Sequence, residues 1–445
     1  MKKALLTIVL VIGFLKIEAQ PYNWSNLPNA PYNGSKQDGI FFLNQNLGWS
    51  VNGSGRIFKT QDGGVTWLQQ KNAPGTYFRS VAFVNDQVGF AGNIGINYFP
   101  GVTDTNPLYK TIDGGNSWAP VTASITGVVP AGICAIEAVN ENVIYAAGRV
   151  GTPQVILKST DGGNTWTGTD ISSQCKMILD LHFQTPEIGY AFTGTSASIA
   201  SSKARVLRTT DGGTTWSIVY TSTRNYEIMW KASFPTANVG YASIQSYNSA
   251  TTQRYIIKTI DGGLTWSELS LTNSGAREFG IGFISDNVGW VGGETTGYET
   301  VDGGLTWTEK NIGQYANKFS VTANPNGSKT VYAIGLNVFK MTDNGTLGTT
   351  TTSIHLKNDL LVSPNPAVAG QYIAISLDKI KTKIVKSELI SIEGKATTIL
   401  FDAFYTGTQE APFMFKLPNV ASGNYILKFT DENGKIFKQK IAIIN

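Results

Sequence analysis

In the stretch KTIDGGLTW, Lys258 to Trp266, a carboxylate, two glycines, a hydroxyl and an indole lie within a few residues, the ingredients of a small acidic site. The chain writes this stretch six times. The pattern [ST]-x-D-G-G-x-[ST]-W recurs at Thr60 to Trp67, Thr111 to Trp118, Ser159 to Trp166, Thr209 to Trp216, Thr259 to Trp266 and Thr300 to Trp307. Its tryptophans stand 51, 48, 50, 50 and 41 residues apart. A steady period in the range of roughly 20 to 50 residues signals a solenoid, a propeller or an array. A catalytic site is normally built once, so six copies argue for scaffold.

The elements around the repeat agree. Each copy has a β-rich run before it, such as YIIK or QVILK, and another after it, such as TWSIVY, which is a strand, turn, strand signature. The aspartate can accept bonds from backbone N–H groups a few residues on, and the glycines take positive φ without a Cβ clash. Upstream, a second motif of the form F-x-x-x-x-V-G-[FYW] pairs Phe42 with Trp49, Phe83 with Phe90, Phe183 with Tyr190, Phe234 with Tyr241 and Phe283 with Trp290. Around Tyr145 and Tyr332 only its second half is present. These runs read as two further strands, so each unit has four strands, and units of this kind fit propeller blades. A seventh copy, KMTDNGT, keeps Asp343 without a tryptophan, whereas NWSNLP near the start has Trp24 without an Asp turn. The expected fold is therefore an all-β, seven-bladed β-propeller whose N-terminal strand completes the last blade.

The six boxes resemble the Asp-box or BNR repeats of sialidases, sortilin-type receptors and some endoglucanases. Above all they resemble the seven-bladed photosystem II assembly and stability factor propellers, over residues 21 to about 346. The resemblance implies that Asp62, Asp113, Asp161, Asp211, Asp261, Asp302 and Asp343 are structural and lie away from the functional face. A sialidase would also need an arginine triad and an F/Y-R-I-P segment. The nearest approach, YFRS at Tyr77 to Ser80, lacks the Ile and Pro. Glycosidases need two carboxylates about 5 to 9 Å apart. Asp38, Asp104, Asp180 and Glu278 lie on plausible loops but read as solvated surface groups.

Composition fits this frame. Charged residues make up 15% of 445, with 48 Gly, 18 Tyr and 10 Trp, as in a turn-rich all-β chain. A net charge of +4 is too small to point to nucleic acid. Residues 1–19 have two lysines, an apolar run from Ala4 to Leu15 and small Ala19, the layout of a cleaved secretory signal and too short to span roughly 30 Å of hydrocarbon. No later stretch is apolar enough to span a bilayer. Export would permit a disulfide between Cys134 and Cys175, and two separate buried thiols fit equally well. The two histidines, His182 and His355, are far apart in sequence, and neither a metal site nor a cofactor is expected.

After a Thr/Gly-rich linker, residues 347–359, the chain changes character. Residues 360–445 alternate apolar strands with Asn-Gly and Glu-Gly turns and read as a small Ig-like β-sandwich. SPNP (Ser363 to Pro366), SGNY (Ser422 to Tyr425) and the hairpin GKIFKQKI (Gly434 to Ile441) resemble the type A C-terminal sorting domain of the type IX secretion system. That resemblance implies the secretion machinery as a partner, transit of the outer membrane, and a secreted or cell-surface protein. The other reading of this segment is a generic Ig-like binding module.

Function should then sit on the propeller face opposite the Asp boxes. Aligning the units on their first aromatic puts Asp38, Arg79, Cys134, Leu179, Trp230 and Phe279 at equivalent positions near a central mouth. Tyr77, Phe78, Arg224, Tyr226, Arg277 and Tyr315 come from the same loops, and insertions at 93–107, 194–205 and 243–254 would wall them in. The expected ligand-binding residues are Tyr77, Arg79, Arg224, Tyr226, Trp230, Arg277 and Tyr315, suited to stack on a glycan or anchor a protein. The sequence thus favours a binding or adhesion module. The alternatives are a carbohydrate-active hydrolase at the mouth and an assembly factor showing a basic patch of Arg79, Arg224 and Arg277.

Overall fold

Residues 22–32, 34–151, 153–343, 361–363, 367–376, 384–391, 396–398, 413–433 and 436–444 are described by the structure, a computed structural model. The expected signal segment 1–19 and linker 347–359 lie outside them. The chain divides into two compact units, residues 1–346 and 347–445.

In the first unit the repeats become seven antiparallel sheets, the blades of a β-propeller. Blade 1 runs through Gly39–Phe42, Gly48–Val51, Arg56–Thr60 and Leu68–Asn72, and blade 5 through Glu227–Ser233, Gly240–Ser246, Arg254–Thr259 and Ser267–Thr272. The first strand of every blade contributes to the wall of one cavity of about 280 Å³, which sets all seven around a common axis. Blade 7 takes its outermost strand from the start of the chain: Trp24 pairs with Met341 and Asn26 with Phe339. The ring is closed as the sequence implied.

Each of the six Asp boxes is a closed hydrogen-bonded turn. In blade 1, Thr60 Oγ1 donates to Asp62 Oδ1 (2.8 Å) and accepts from Gly64 N (2.8 Å), while Asp62 accepts from the N–H and hydroxyl of Thr66. Gly63 and Gly64 supply φ of 69° and 89°, which L side chains resist. The same bonds recur at Asp113, Asp161, Asp211, Asp261 and Asp302. In blade 1 both oxygens of the Asp62 carboxylate are thus engaged within the turn itself. Of the seventh copy, Asp343 is described and the residues after it are not.

The second motif joins blade to blade. Tyr332 of blade 7 stacks on Phe42 of blade 1 (3.4 Å between centroids), and Trp67 meets Phe42 edge-on (6.0 Å). The Tyr332 hydroxyl donates to Gly63 O in the Asp box of blade 1. Trp49, Phe83 and Trp118 repeat this triad, as do Tyr145, Phe183 and Trp216, and Tyr241, Phe283 and Trp307. Edge contacts of this kind add about 0.5–1.5 kcal/mol each beyond area burial.

Blades 3 and 4 depart from four strands. A parallel strand, Ile125–Gly127, adds to the outside of blade 3, and Arg149–Val150 pairs with the innermost strand of blade 4. Both come from connections longer than a tight turn, which leaves free backbone to pair. Cys134 and Cys175 are separate buried thiols.

The second unit has a three-stranded sheet (Leu361–Ser363, Tyr372–Ser376, Phe413–Lys416) and a five-stranded one containing the long hairpin Gly423–Asp431 and Ile436–Ile444. Ile373 of the first sheet shares a core with Leu389, Leu427, Phe429 and Ile441 of the second. Pro364 to Pro366 of the SPNP motif lie outside the described residues.

Candidate functional site

The mouth forms where the first strands begin. Two neighbouring cavities open there, of about 460 and 380 Å³, and they share Lys36, Trp230 and Tyr247. The larger adds Gln245, Arg277, Phe279 and Tyr315. The smaller adds Arg79, Tyr98, Phe99, Met177, Ile199 and Ile228. No carboxylate lines either cavity among the described residues.

A buried network holds the floor. Asp38, fully enclosed, has Arg79 Nη1 at 2.6 Å and Lys36 Nζ at 3.2 Å. It also accepts from Tyr77 OH (2.7 Å) and Asn317 Nδ2 (2.6 Å), and Asn317 in turn accepts from Trp230 Nε1 (2.8 Å). Burial alone would raise the Asp38 pKa, but Arg79 and Lys36 outweigh it and hold the carboxyl at about 2. Burial pushes Lys36 down to about 8 against the pull of Asp38. The Lys36 ammonium lies 5.0 Å from the Trp230 ring centroid and 5.4 Å from that of Phe279, and the Arg79 guanidinium 5.0 Å from Trp230. Such cation–π contacts fix the indole between two cations.

The expected site residues divide. Arg79, Trp230, Arg277 and Tyr315 line the cavities, and Tyr77 braces the floor through Asp38 while stacking on Phe99. Arg277 keeps its charge on Glu294 (2.5 Å) and lies 5.5 Å from the Tyr247 ring centroid. Arg224 and Tyr226 line neither cavity. Arg224 is drawn outward to Glu227 (2.5 Å), Glu268 (2.9 Å) and the face of Tyr255. The Tyr226 carbonyl accepts from Tyr247 N, so Tyr226 supports the mouth from behind. The three arginines form no free basic patch, because Arg79, Arg224 and Arg277 each have a carboxylate partner.

Of the four carboxylates read as solvated, Asp38, Asp180 and Glu278 are buried and Asp104 is partly exposed. Asp38 is buried in the network above, and Asp180 lies on the innermost strand of blade 4 between Lys231 (3.4 Å) and Lys318 (3.6 Å). Glu278 is 1% exposed beside Arg254 (3.8 Å), and burial pushes it up to about 8. Asp104 pins the long insertion of blade 2 by accepting from Thr76, Tyr109 and Asn106. An inward-facing acid and a loop acid look alike in sequence; the partners that enclose Asp38, Asp180 and Glu278 come from other blades.

Lys36, Gln245, Tyr247, Tyr98, Phe99 and Asn317 were not singled out as site residues. Tyr98, Phe99 and Tyr247 lie in two of the insertions expected to wall the mouth, and Ile199 in the third. Asn97, Tyr226 and Tyr315, the described non-glycine residues with positive φ (64°, 64° and 54°), all belong to loops of this face. Strained backbone of this kind gathers at binding sites.

Against known proteins, the family model of photosynthesis system II assembly factor YCF48 matches residues 100–227. No curated protein matches the chain in sequence. A solved structure of YCF48 bound to D1 peptide is 18% identical, with a TM-score of 0.52 over 73% of this chain and 98% of that one. YCF48 from Cyanidioschyzon merolae gives 18% and 0.51 over 72% and 98%, and U3-55K gives 7% and 0.50 over the same shares. What the chain shares with them is the β-propeller.

Proposed function

We infer that the protein is an exported binding module that captures a protein segment in the propeller mouth. One observation carries the reading: two joined cavities lined by aromatic rings and cations, with no carboxylate facing them among the described residues. A glycosidase needs a pair of carboxylates at the reacting bond. Here Asp38 is spent on Arg79 and Lys36, and Glu278 lines neither of the two mouth cavities. Apolar surface from Tyr98, Phe99, Met177 and Ile199 beside Lys36 suits a segment carrying an apolar side chain and an acidic group. The likeness to YCF48 bound to D1 peptide supports a polypeptide ligand.

The route to the surface follows from the two ends of the sequence. Residues 1–19 serve as the export signal and residues 360–445 as the sorting domain for the type IX machinery, leaving residues 20–346 to bind. Fractionation of cells expressing the chain with and without residues 360–445 tests this: the intact protein is expected at the surface or in the medium, and the truncated one in the periplasm.

A glycan is the second reading, favoured by the clustered rings of Trp230, Phe279, Tyr247 and Tyr315. The deciding experiment presents the mature protein with a peptide array and a polysaccharide panel, scoring retention and released reducing ends together. Retention on peptides is expected. Retention on glycans alone would replace the polypeptide by a sugar, and release of reducing ends would overturn the binding reading altogether.

A further inference from the structure

Beneath the mouth, on the propeller axis, lies a much smaller cavity. It measures about 30 Å³ and is walled by Asp38, Arg79, Cys134, Asp180, Lys231 and Lys318. A water needs roughly 10–15 Å³ on this measure, so there is room for about two or three water-sized occupants.

The charges around it do not balance. Four cations, Lys36, Arg79, Lys231 and Lys318, share two carboxylates, at 3.2 and 2.6 Å from Asp38 and 3.4 and 3.6 Å from Asp180. The second oxygens of those carboxylates are already taken, by Tyr77 OH and by Ala232 N. The next acid along the axis, Glu137, faces His182 at 3.7 Å. The cluster thus carries two positive charges in excess: Arg79 and Lys231 are buried with one carboxylate each, and the side chains of Lys36 and Lys318 are 25% and 33% exposed. Lys231 donates to Leu179 O and Asp180, two acceptors for three N–H groups. The Ser80 hydroxyl, also on the cavity wall, is buried without a hydrogen-bond partner. Burial pushes Lys231 down to about 8, as expected of a cation whose surroundings do not compensate it.

We propose that this axial cavity binds a monatomic anion, chloride in the first instance, held by Lys231, Lys318 and Arg79 with the Ser80 hydroxyl. The anion supplies the missing negative charge and keeps the cationic floor of the mouth in place. Water fills the same volume without supplying charge.

The test uses the full mature chain in gluconate buffer, into which chloride or bromide is titrated at constant ionic strength. The melting temperature is expected to rise saturably with either halide, and crystals soaked in bromide should show one anomalous peak between Lys231 and Lys318. Lys318→Met should weaken the halide dependence at least tenfold. Should that variant fold poorly, Ser80→Ala keeps the charges and should weaken it several-fold. Superimposable melts in chloride and gluconate, or a bromide-soaked cavity without a peak, would overturn the proposal. So would unchanged halide dependence in a folded Lys318→Met or Ser80→Ala variant.

Discussion

The two faces of the propeller are built from the same seven blades and obey opposite rules. On one, the Asp boxes repeat the same bonds at Asp62, Asp113, Asp161, Asp211, Asp261 and Asp302. On the other, equivalent positions hold Asp38, Arg79, Cys134, Leu179, Trp230 and Phe279, all of which line the two mouth cavities or the cavity beneath them with side chains of different charge and shape. Repetition marks what each blade needs in order to exist. Departure from it marks what the ring as a whole is for.

Substitutions can break or sharpen that contrast. Trp166→Ala on the repeated side removes a ring that is 1% exposed and meets Phe90 edge-on. It should cost about 3–5 kcal/mol in urea melts, and a loss under about 1 kcal/mol would refute the role given to the aromatic joints. Asp38→Asn on the mouth side leaves Arg79 and Lys36 without their carboxylate and should cost about 3 kcal/mol at neutral pH. The Asp38 pKa of about 2 lies below its ordinary 3.8. Its stabilisation is therefore complete above about pH 4 and lost as pH falls towards 2, so the gap between wild type and variant should close over that window. A gap independent of pH would show that Asp38 does not hold the cations.

Smaller effects separate affinity from stability. Arg277→Ala removes a side chain 41% exposed at the rim. It should weaken ligand capture about tenfold, or 1.4 kcal/mol, while melts shift by less than about 1 kcal/mol. Equal losses in both would make Arg277 a structural residue. Thr209→Ala deletes the hydroxyl that joins Asp211 to Gly213 and should cost about 1 kcal/mol with no change in capture. Leu264→Ser, at an exposed position of the blade 5 box, should fall within about 0.5 kcal/mol of wild type.

The blades were legible because a turn that must close on itself needs the same residues each time. Spacing alone gave Thr60 to Trp67 as a turn and Trp24 as the missing strand. The second motif was visible as a pattern, yet its purpose was not, since Tyr332 meets Gly63 only after the chain has come full circle. The mouth was half legible. Alignment on the repeat found Arg79 and Trp230, but Lys36 precedes the first blade and Tyr247 lies in an insertion, where no period exists to align. Arg224 has the right place in its loop and the wrong neighbours, because Glu268 on the outer strand of its blade captures it.

The clasp between Trp24–Asn26 and Val338–Thr342 also imposes an order of events. Ser25 and Lys340, bonded across it, are 315 residues apart in sequence. The other six blades draw their strands from nearby stretches of the chain, whereas this one waits for nearly the whole propeller, at the cost in chain entropy that distant contacts carry. Until then the first strand has no partner and the last blade keeps an open edge. A polypeptide delivered only in part therefore advertises its incompleteness, and the ring snaps shut only on a chain that has arrived whole.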